Sequence, residues 1–163
     1  MIDVILALGS NLGNRIENIE TAINYLNNYL IFKKVSSIYI SQSLLKDNQD
    51  DYYNCVCLYE TDCSITELLK IVQDIENKMG RDKTTGFWGA RNIDIDIVDY
   101  DNISYFSEKI ITPHKEMQNR SFVLYPLFNT LDKTISAEAS KTLSISINFS
   151  REGIFSSRSI IPI

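Results

Sequence analysis

Residues 93–97 read Ile-Asp-Ile-Asp-Ile. A hydrophobic period of two is the pattern of a β-strand with one face in a core. Ile93, Ile95 and Ile97 are expected to point inward, and Asp94 and Asp96 to share the opposite face. Two carboxylates on one rigid strand repel each other unless a cation lies between them. Hard divalent ions such as Mg²⁺ suit that arrangement, because they take one or two carboxylates and fill their other positions with water and phosphate oxygens. Directly upstream, residues 81–91 read Arg-Asp-Lys-Thr-Thr-Gly-Phe-Trp-Gly-Ala-Arg, a basic, aromatic and glycine-broken stretch. Carboxylates for a metal beside cations for phosphate suggest nucleotide phosphate chemistry. The plainer alternative is a solvated strand face whose acids serve only solubility. The adjacent cations and the later His114 favour the metal site.

The chain has 163 residues, which suits one domain with a sizeable core. A hydrophobic fraction of 44% with 23% charged residues places it among soluble globular proteins. The net charge of -5 argues against a nucleic-acid-binding surface, so a phosphate site must be a local cluster of cations. No apolar run approaches the roughly 20 residues that span a bilayer. The opening Met-Ile-Asp-Val-Ile-Leu-Ala-Leu has an early acid and no basic stretch, so it reads as a strand and not as a signal peptide. Cys55, Cys57 and Cys63 are an odd set, expected to be reduced thiols of a cytoplasmic protein. Zinc at Cys55-x-Cys57 would need further nitrogen or sulfur ligands, and His114 is the only histidine. Thiols packed on the inward face of a strand are the better reading.

Residues 2–8 are expected to form a strand buried on both faces. A Gly-Ser-Asn-Leu-Gly-Asn turn follows, with Asn14 or Asn11 near the cap of a helix over about 15–29. Ile16, Ile19, Ile23, Leu26 and Leu30 form its apolar stripe. Residues 33–40 read as a second strand, 41–51 as a polar loop, and 52–59 as a third strand. On that third strand Tyr52, Asn54, Val56 and Leu58 share one face, and Tyr53, Cys55, Cys57 and Tyr59 the other. The Ser64-Ile-Thr-Glu67 capping box opens a second helix, Ile65, Leu68, Leu69, Val72, Ile75 and Met79 line its core side, and Gly80 stops it. Gln73 and Glu76 flank that stripe, and periodicity alone favours reading them as solvated helix polars. After the Asp94/Asp96 strand come a turn at 99–102, a short strand over 109–111 and an apolar run at 123–128. The Leu-Ser-Ile-Ser-Ile alternation at 143–147 fits an edge strand. The order predicts an α+β, or α/β-sandwich, fold with a ferredoxin-like β-α-β-β-α-β core. Its sheet would be mixed but mostly antiparallel, with the helices packed on it.

The Gly9–Arg15 stretch lacks the Gly-Lys-Ser/Thr ending of a P-loop and by itself is a strand-to-helix turn. His114 follows Pro113 and could bond a phosphate oxygen, although a lone histidine is more often structural. Arg120 on the same segment strengthens an anion site. Phe122 could stack on a flat ligand or fill a core. Trp88, in a polar glycine-flanked loop, fits a residue that folds over a ligand.

Taken in order, Gly9-Ser10-Asn11-Leu12-Gly13-Asn14-Arg15, Gln73-x-x-Glu76, Gly80-Arg81, Trp88-Gly89-x-Arg91-x-x-Asp94-x-Asp96, Pro113-His114 and Asn119-Arg120-x-Phe122 resemble 6-hydroxymethyl-7,8-dihydropterin pyrophosphokinase of folate biosynthesis. The resemblance covers about residues 1–131. It implies transfer of pyrophosphate from ATP to the pterin hydroxymethyl group, releasing AMP. It makes Asp94 and Asp96 the ligands of two Mg²⁺ ions, and Arg81 and Arg91 catalytic cations. Gln73, Glu76, Lys83, Trp88, Lys109, His114 and Arg120 fall on the ATP side. Tyr52 and Phe122 would sandwich the pterin, with Asn54 reading its edge.

The chain departs from the pattern at Ser41–Leu45, where the family often carries a Thr-Pro-rich stretch. It departs again at Lys83, where arginine is common, and at Lys115, where an aromatic is common. Residues 132–163 do not match well. Fusion of this enzyme to dihydropteroate synthase is known, so they are expected to be an extension or a linker to a second domain. Two alternatives remain open on the residues alone. One is another Mg-dependent nucleotide transferase using an Asp-x-Asp pair. The other is a catalytically inert ferredoxin-like binding module.

Overall fold

The computed structural model describes residues 1–41, 50–80 and 91–114. The residues at 123–128 and 143–147, and everything else from 115 onward, lie outside the described residues.

The chain opens with strand β1 (Ile2–Ser10). Asn14 caps helix α1 (Arg15–Leu26), its side chain accepting from the Glu17 N–H. The helix is shorter than its sequence period indicates. From Asn27 the chain passes into a tight turn in which the N–H groups of Tyr29 and Leu30 both return to the Leu26 carbonyl, and this turn still delivers Leu30 to the core. Ile16, in the first turn, remains at the surface, whereas Ile19, Ala22 and Leu26 are buried.

The single strand expected at 33–40 is two strands, β2 (Ile31–Val35) and β3 (Tyr39–Ser41). Both pair antiparallel with β4 (Tyr52–Thr61). Val35 lies opposite Cys57 and Tyr39 opposite Asn54, so four steps on one side face three on the other. One residue is extra, as in a bulge. Ser36 occupies the break: its N–H donates to the Val56 carbonyl and its Oγ accepts from the Val56 N–H.

Helix α2 (Ile65–Lys78) begins with the expected capping box between Ser64 and Glu67. It ends at Met79, with Gly80 in the left-handed region at φ 84°. Strand β5 (Asp94–Tyr100) follows, then the small hairpin β6 (Tyr105–Phe106) and β7 (Ile111–Thr112). The short strand expected at 109–111 therefore starts later, because Ser107 folds 107–110 into a local hydrogen-bonded turn.

The main sheet runs β2-β4-β1-β5, with β3 continuing along β4, and its pairings are antiparallel. This is the α+β, ferredoxin-like order expected, with both helices packed against one face. That core joins Val4, Leu6 and Leu8 of β1, Cys55, Cys57 and Tyr59 of β4, and Ile93, Ile95 and Ile97 to Ile19, Leu26, Leu68, Val72 and Ile75 of the helices. Hydrogen bonding to Cys55 and burial push the Cys57 thiol far above its ordinary range, as suits a packed core thiol. Among the described residues, no helix is long and apolar enough to cross a membrane.

Candidate functional site

The face of the sheet opposite the helices carries the chemistry. Asn54 of β4 lies opposite Gly9 of β1, and Gly9 lies opposite Asp94 of β5. Tyr39 extends the row on the far side of Asn54. One step along, Val56, Ala7 and Asp96 form the next row. Asp94 and Asp96 are both partly exposed, while Ile93, Ile95 and Ile97 are buried behind them, as the alternation predicts. At the rise of a strand the two acidic positions are about 7 Å apart along β5.

Gly9 leaves room in this row for Asn54. A Cβ there would stand 3.0 Å from Asn54 Oδ1 and 3.7 Å from the Tyr52 ring. Asn54 is buried at 4% exposure, and its Nδ2 donates to Ser41 Oγ (2.9 Å) and to the Tyr52 carbonyl (3.3 Å). These bonds leave Oδ1 close over Gly9. Tyr52 precedes Asn54 on the same face. The strand entrance is held by Arg15, which donates to the Asp51 carbonyl (3.0 Å) and lies over the Tyr53 ring.

Arg91 joins the aromatic end of the site to the acidic end. Its Nη1 is 2.8 Å from Asp94 Oδ1, and only 13% of its side chain is exposed. Burial works to lower its pKa. The charge and hydrogen bond of Asp94, with weaker help from Tyr52 and Glu76, outweigh that and raise it on balance. Burial pushes the Tyr52 phenol above its ordinary value, against the lowering influence of Arg91. Asn11 fixes the Arg91 backbone from both sides: its Oδ1 accepts from Arg91 N–H (2.9 Å), and its N–H donates to the Arg91 carbonyl (3.3 Å).

Beyond β5 opens a cleft of about 340 Å³, lined by Leu69, Asp96, Ser107, Lys109 and His114 among others. That is within the usual size range for a small-molecule site. His114 is anchored by its backbone N–H, which donates to the Val98 carbonyl on β5 (2.9 Å).

The structure thus brings together Tyr52, Asn54, Arg91, Asp94, Asp96, Lys109 and His114. Gln73 is exposed on α2. Glu76 is not the solvated helix polar that periodicity favours: it is 3% exposed, and its Oε1 accepts from the Ile95 N–H at 2.9 Å. Arg81, Lys83, Trp88, Arg120 and Phe122 lie outside the described residues. Gly9, Asn11, Ser41 and Leu69 were not singled out from the sequence as site residues. Of these only Gly9 gave a readable signal, a glycine at the end of an apolar strand.

Comparison with known proteins decides the family. The family described as 7,8-dihydro-6-hydroxymethylpterin-pyrophosphokinase (HPPK) matches residues 5–132. The chain belongs to this family. It is similar to the 2-amino-4-hydroxy-6-hydroxymethyldihydropteridine pyrophosphokinase of Haemophilus influenzae, with 39% identity over 132 residues covering 78% of this chain and 81% of that one. It is also 36% identical over 137 residues to the bifunctional protein FolKE of Lactococcus lactis, covering 83% of this chain but only 39% of that longer protein. Among solved structures it resembles wild-type HPPK-DHPS of Plasmodium falciparum. The TM-score is 0.62 at 15% identity, covering 78% of this chain and 41% of that one. At that identity the likeness speaks for the fold alone. The family and its named relatives place the chain among the pyrophosphokinases, and it spans less than half the length of the bifunctional relatives. They favour this family over the unrelated Asp-x-Asp transferase.

Proposed function

We propose that this site face transfers a pyrophosphoryl group from ATP to the hydroxymethyl oxygen of 6-hydroxymethyl-7,8-dihydropterin, with Asp94 and Asp96 holding two Mg²⁺ ions. One observation carries the assignment. The two carboxylates stand between the strand face at Tyr52, Asn54 and Gly9 and a cleft at Leu69, Lys109 and His114. A phosphate chain joining a pterin in the first to a nucleoside in the second must pass over Asp94 and Asp96.

The donor set fits the metal. Both groups are hard oxygen ligands on one rigid strand, and two carboxylates leave an octahedral ion room for phosphate oxygens and water. Bound there, Mg²⁺ supplies positive charge that offsets the charge developing on the transferring phosphates. In the reaction the hydroxymethyl oxygen bonds to the β-phosphorus, the bond from that phosphorus to the α–β bridging oxygen breaks, and AMP leaves. The protein contributes position and charge. Tyr52 and Phe122 stack the pterin, and the Asn54 amide reads its edge. Arg91 holds Asp94 in place, and Lys109, His114 and Gln73 serve the nucleotide side. Arg81, Lys83, Trp88 and Arg120 add the remaining cations and the cover that excludes water.

The same reading assigns residues 1–131 to the pyrophosphokinase core, and the family match at 5–132 supports it. We read residues 132–163 as a C-terminal extension of that core. The cytoplasm, where ATP and reduced thiols occur together, is the compartment that fits three free cysteines.

Product analysis tests the proposal. Mixed with Mg²⁺, ATP and the pterin, the protein should form AMP and pterin diphosphate in equal amounts. Asp96→Ala should nearly abolish both while leaving the fold intact. ADP as product, or an Asp96→Ala variant close to full activity, would overturn it.

A further inference from the structure

Glu76 is buried at 3% exposure, and its Oε1 accepts the backbone N–H of Ile95 at 2.9 Å. Ile95 is the residue between Asp94 and Asp96. Among the described residues β5 is the end strand of the main sheet, bonded to β1 along one edge. On its other edge, at Ile95, the acceptor comes from a helix side chain and not from a neighbouring strand. The same end of α2 makes a second bond to this segment, where Asn92 Nδ2 donates to the Met79 carbonyl at 2.8 Å.

Burying a carboxyl group costs free energy unless its polar atoms find partners. What offsets it here is a charge-assisted bond to a backbone N–H and attraction to Arg91. The bond pins the backbone midway between the two acids, so it constrains the direction in which both side chains leave the strand.

We propose that Glu76 is a positioning residue for the Asp94/Asp96 pair, acting through the Ile95 amide and not by contact with the nucleotide. The proposal rests on the reading of Asp94 and Asp96 as metal ligands. Groups that orient metal ligands from behind change metal affinity by about 10–100-fold when removed.

The test uses the full chain and three variants: Glu76→Ala, Glu76→Gln and Asp96→Ala. Amide hydrogen exchange at Ile95 is compared with that at Leu8, its partner on β1. Mn²⁺ binding is titrated by electron paramagnetic resonance with a non-hydrolysable ATP analogue present. In Glu76→Ala, exchange should accelerate at Ile95 far more than at Leu8, and Mn²⁺ affinity should fall about tenfold or more. Glu76→Gln keeps an acceptor and should stay close to wild type in both. If Glu76→Ala does not fold, Glu76→Asp, one methylene short of Ile95, carries the same expectation. Unchanged exchange at Ile95, or unchanged Mn²⁺ affinity despite faster exchange, overturns the proposal. A Gln variant as weak as the Ala variant overturns it too, since the charge and not the bond would then matter. Failure of the underlying metal reading looks different: Asp96→Ala would bind Mn²⁺ as wild type does.

Discussion

Gly9 is where a single missing side chain shapes the site. A methyl group there would press on Asn54 Oδ1 at 3.0 Å, and Asn54 cannot yield freely because Ser41 and the Tyr52 carbonyl hold its Nδ2. Gly9→Ala should therefore weaken pterin binding with little change in ATP-analogue affinity, as calorimetry on each ligand would show. Tyr52→Ala should cost pterin affinity on the scale of base–aromatic stacking, ~1–3 kcal/mol. Asp99 gives a prediction about pH. Burial raises its pKa above the ordinary Asp value, although the backbone N–H groups of Asn102 and Tyr100 pull the other way. The folded protein thus holds this proton more tightly than the unfolded chain does. That contribution to stability is present in acid and is lost as pH rises through the raised pKa. Asp99→Asn keeps an acceptor for Asn102 without the charge. It should raise the melting temperature near neutral pH, and the advantage should shrink in acid; a gap that widens in acid would contradict this.

The second helix is the element on which most of the site depends. Its capping box places Ser64 Oγ and the Ser64 N–H against Glu67, and Ser64→Ala should cost about 1 kcal/mol in chemical denaturation. At the other end Gly80 has φ 84°, and a Cβ would meet Asn92 Nδ2 at 3.2 Å. Gly80→Ala combines left-handed backbone strain of ~1–2 kcal/mol with pressure on the Asn92–Met79 bond. It should lower stability and activity together, measurable as a shifted denaturation midpoint and a lower kcat. Both helix ends were legible in the sequence, because capping chemistry is local. The split of β2 from β3 was not. Ser36 and Ser37 shift the apolar phase between Val35 and Ile38, but only the pairing with β4 shows that one residue is extra.

At the scale of the whole molecule, the core and the site occupy opposite faces of one sheet. Leu68 is fully buried between α2 and the strands, so Leu68→Ala should cost ~2–5 kcal/mol. Its effect on turnover below the melting transition should be far smaller than that of Asp96→Ala. Conversely, chelation of divalent cations should stop turnover and leave the melting temperature nearly unchanged, because the core is built without Asp94 or Asp96. A large fall in melting temperature on chelation would show that the metal holds the fold as well as the substrate.

The sequence alone determined the strand of alternating Ile and Asp, the two helices and both ends of the second, the ferredoxin-like order and the family resemblance. Each is a matter of short-range periodicity, capping or ordered motifs. It also separated Tyr52 and Asn54 from the core face of β4, since a period of two assigns faces without knowledge of neighbours. Tertiary structure decided what lies beside what. It put Gly9 between Asn54 and Asp94, made Asn11 the clamp on Arg91, and set Leu69 in the same cleft as His114. It also turned Glu76 inward to Ile95. The reason is physical: helix periodicity tells which way a side chain faces, but not whether a neighbouring strand offers that side chain a backbone N–H to bond.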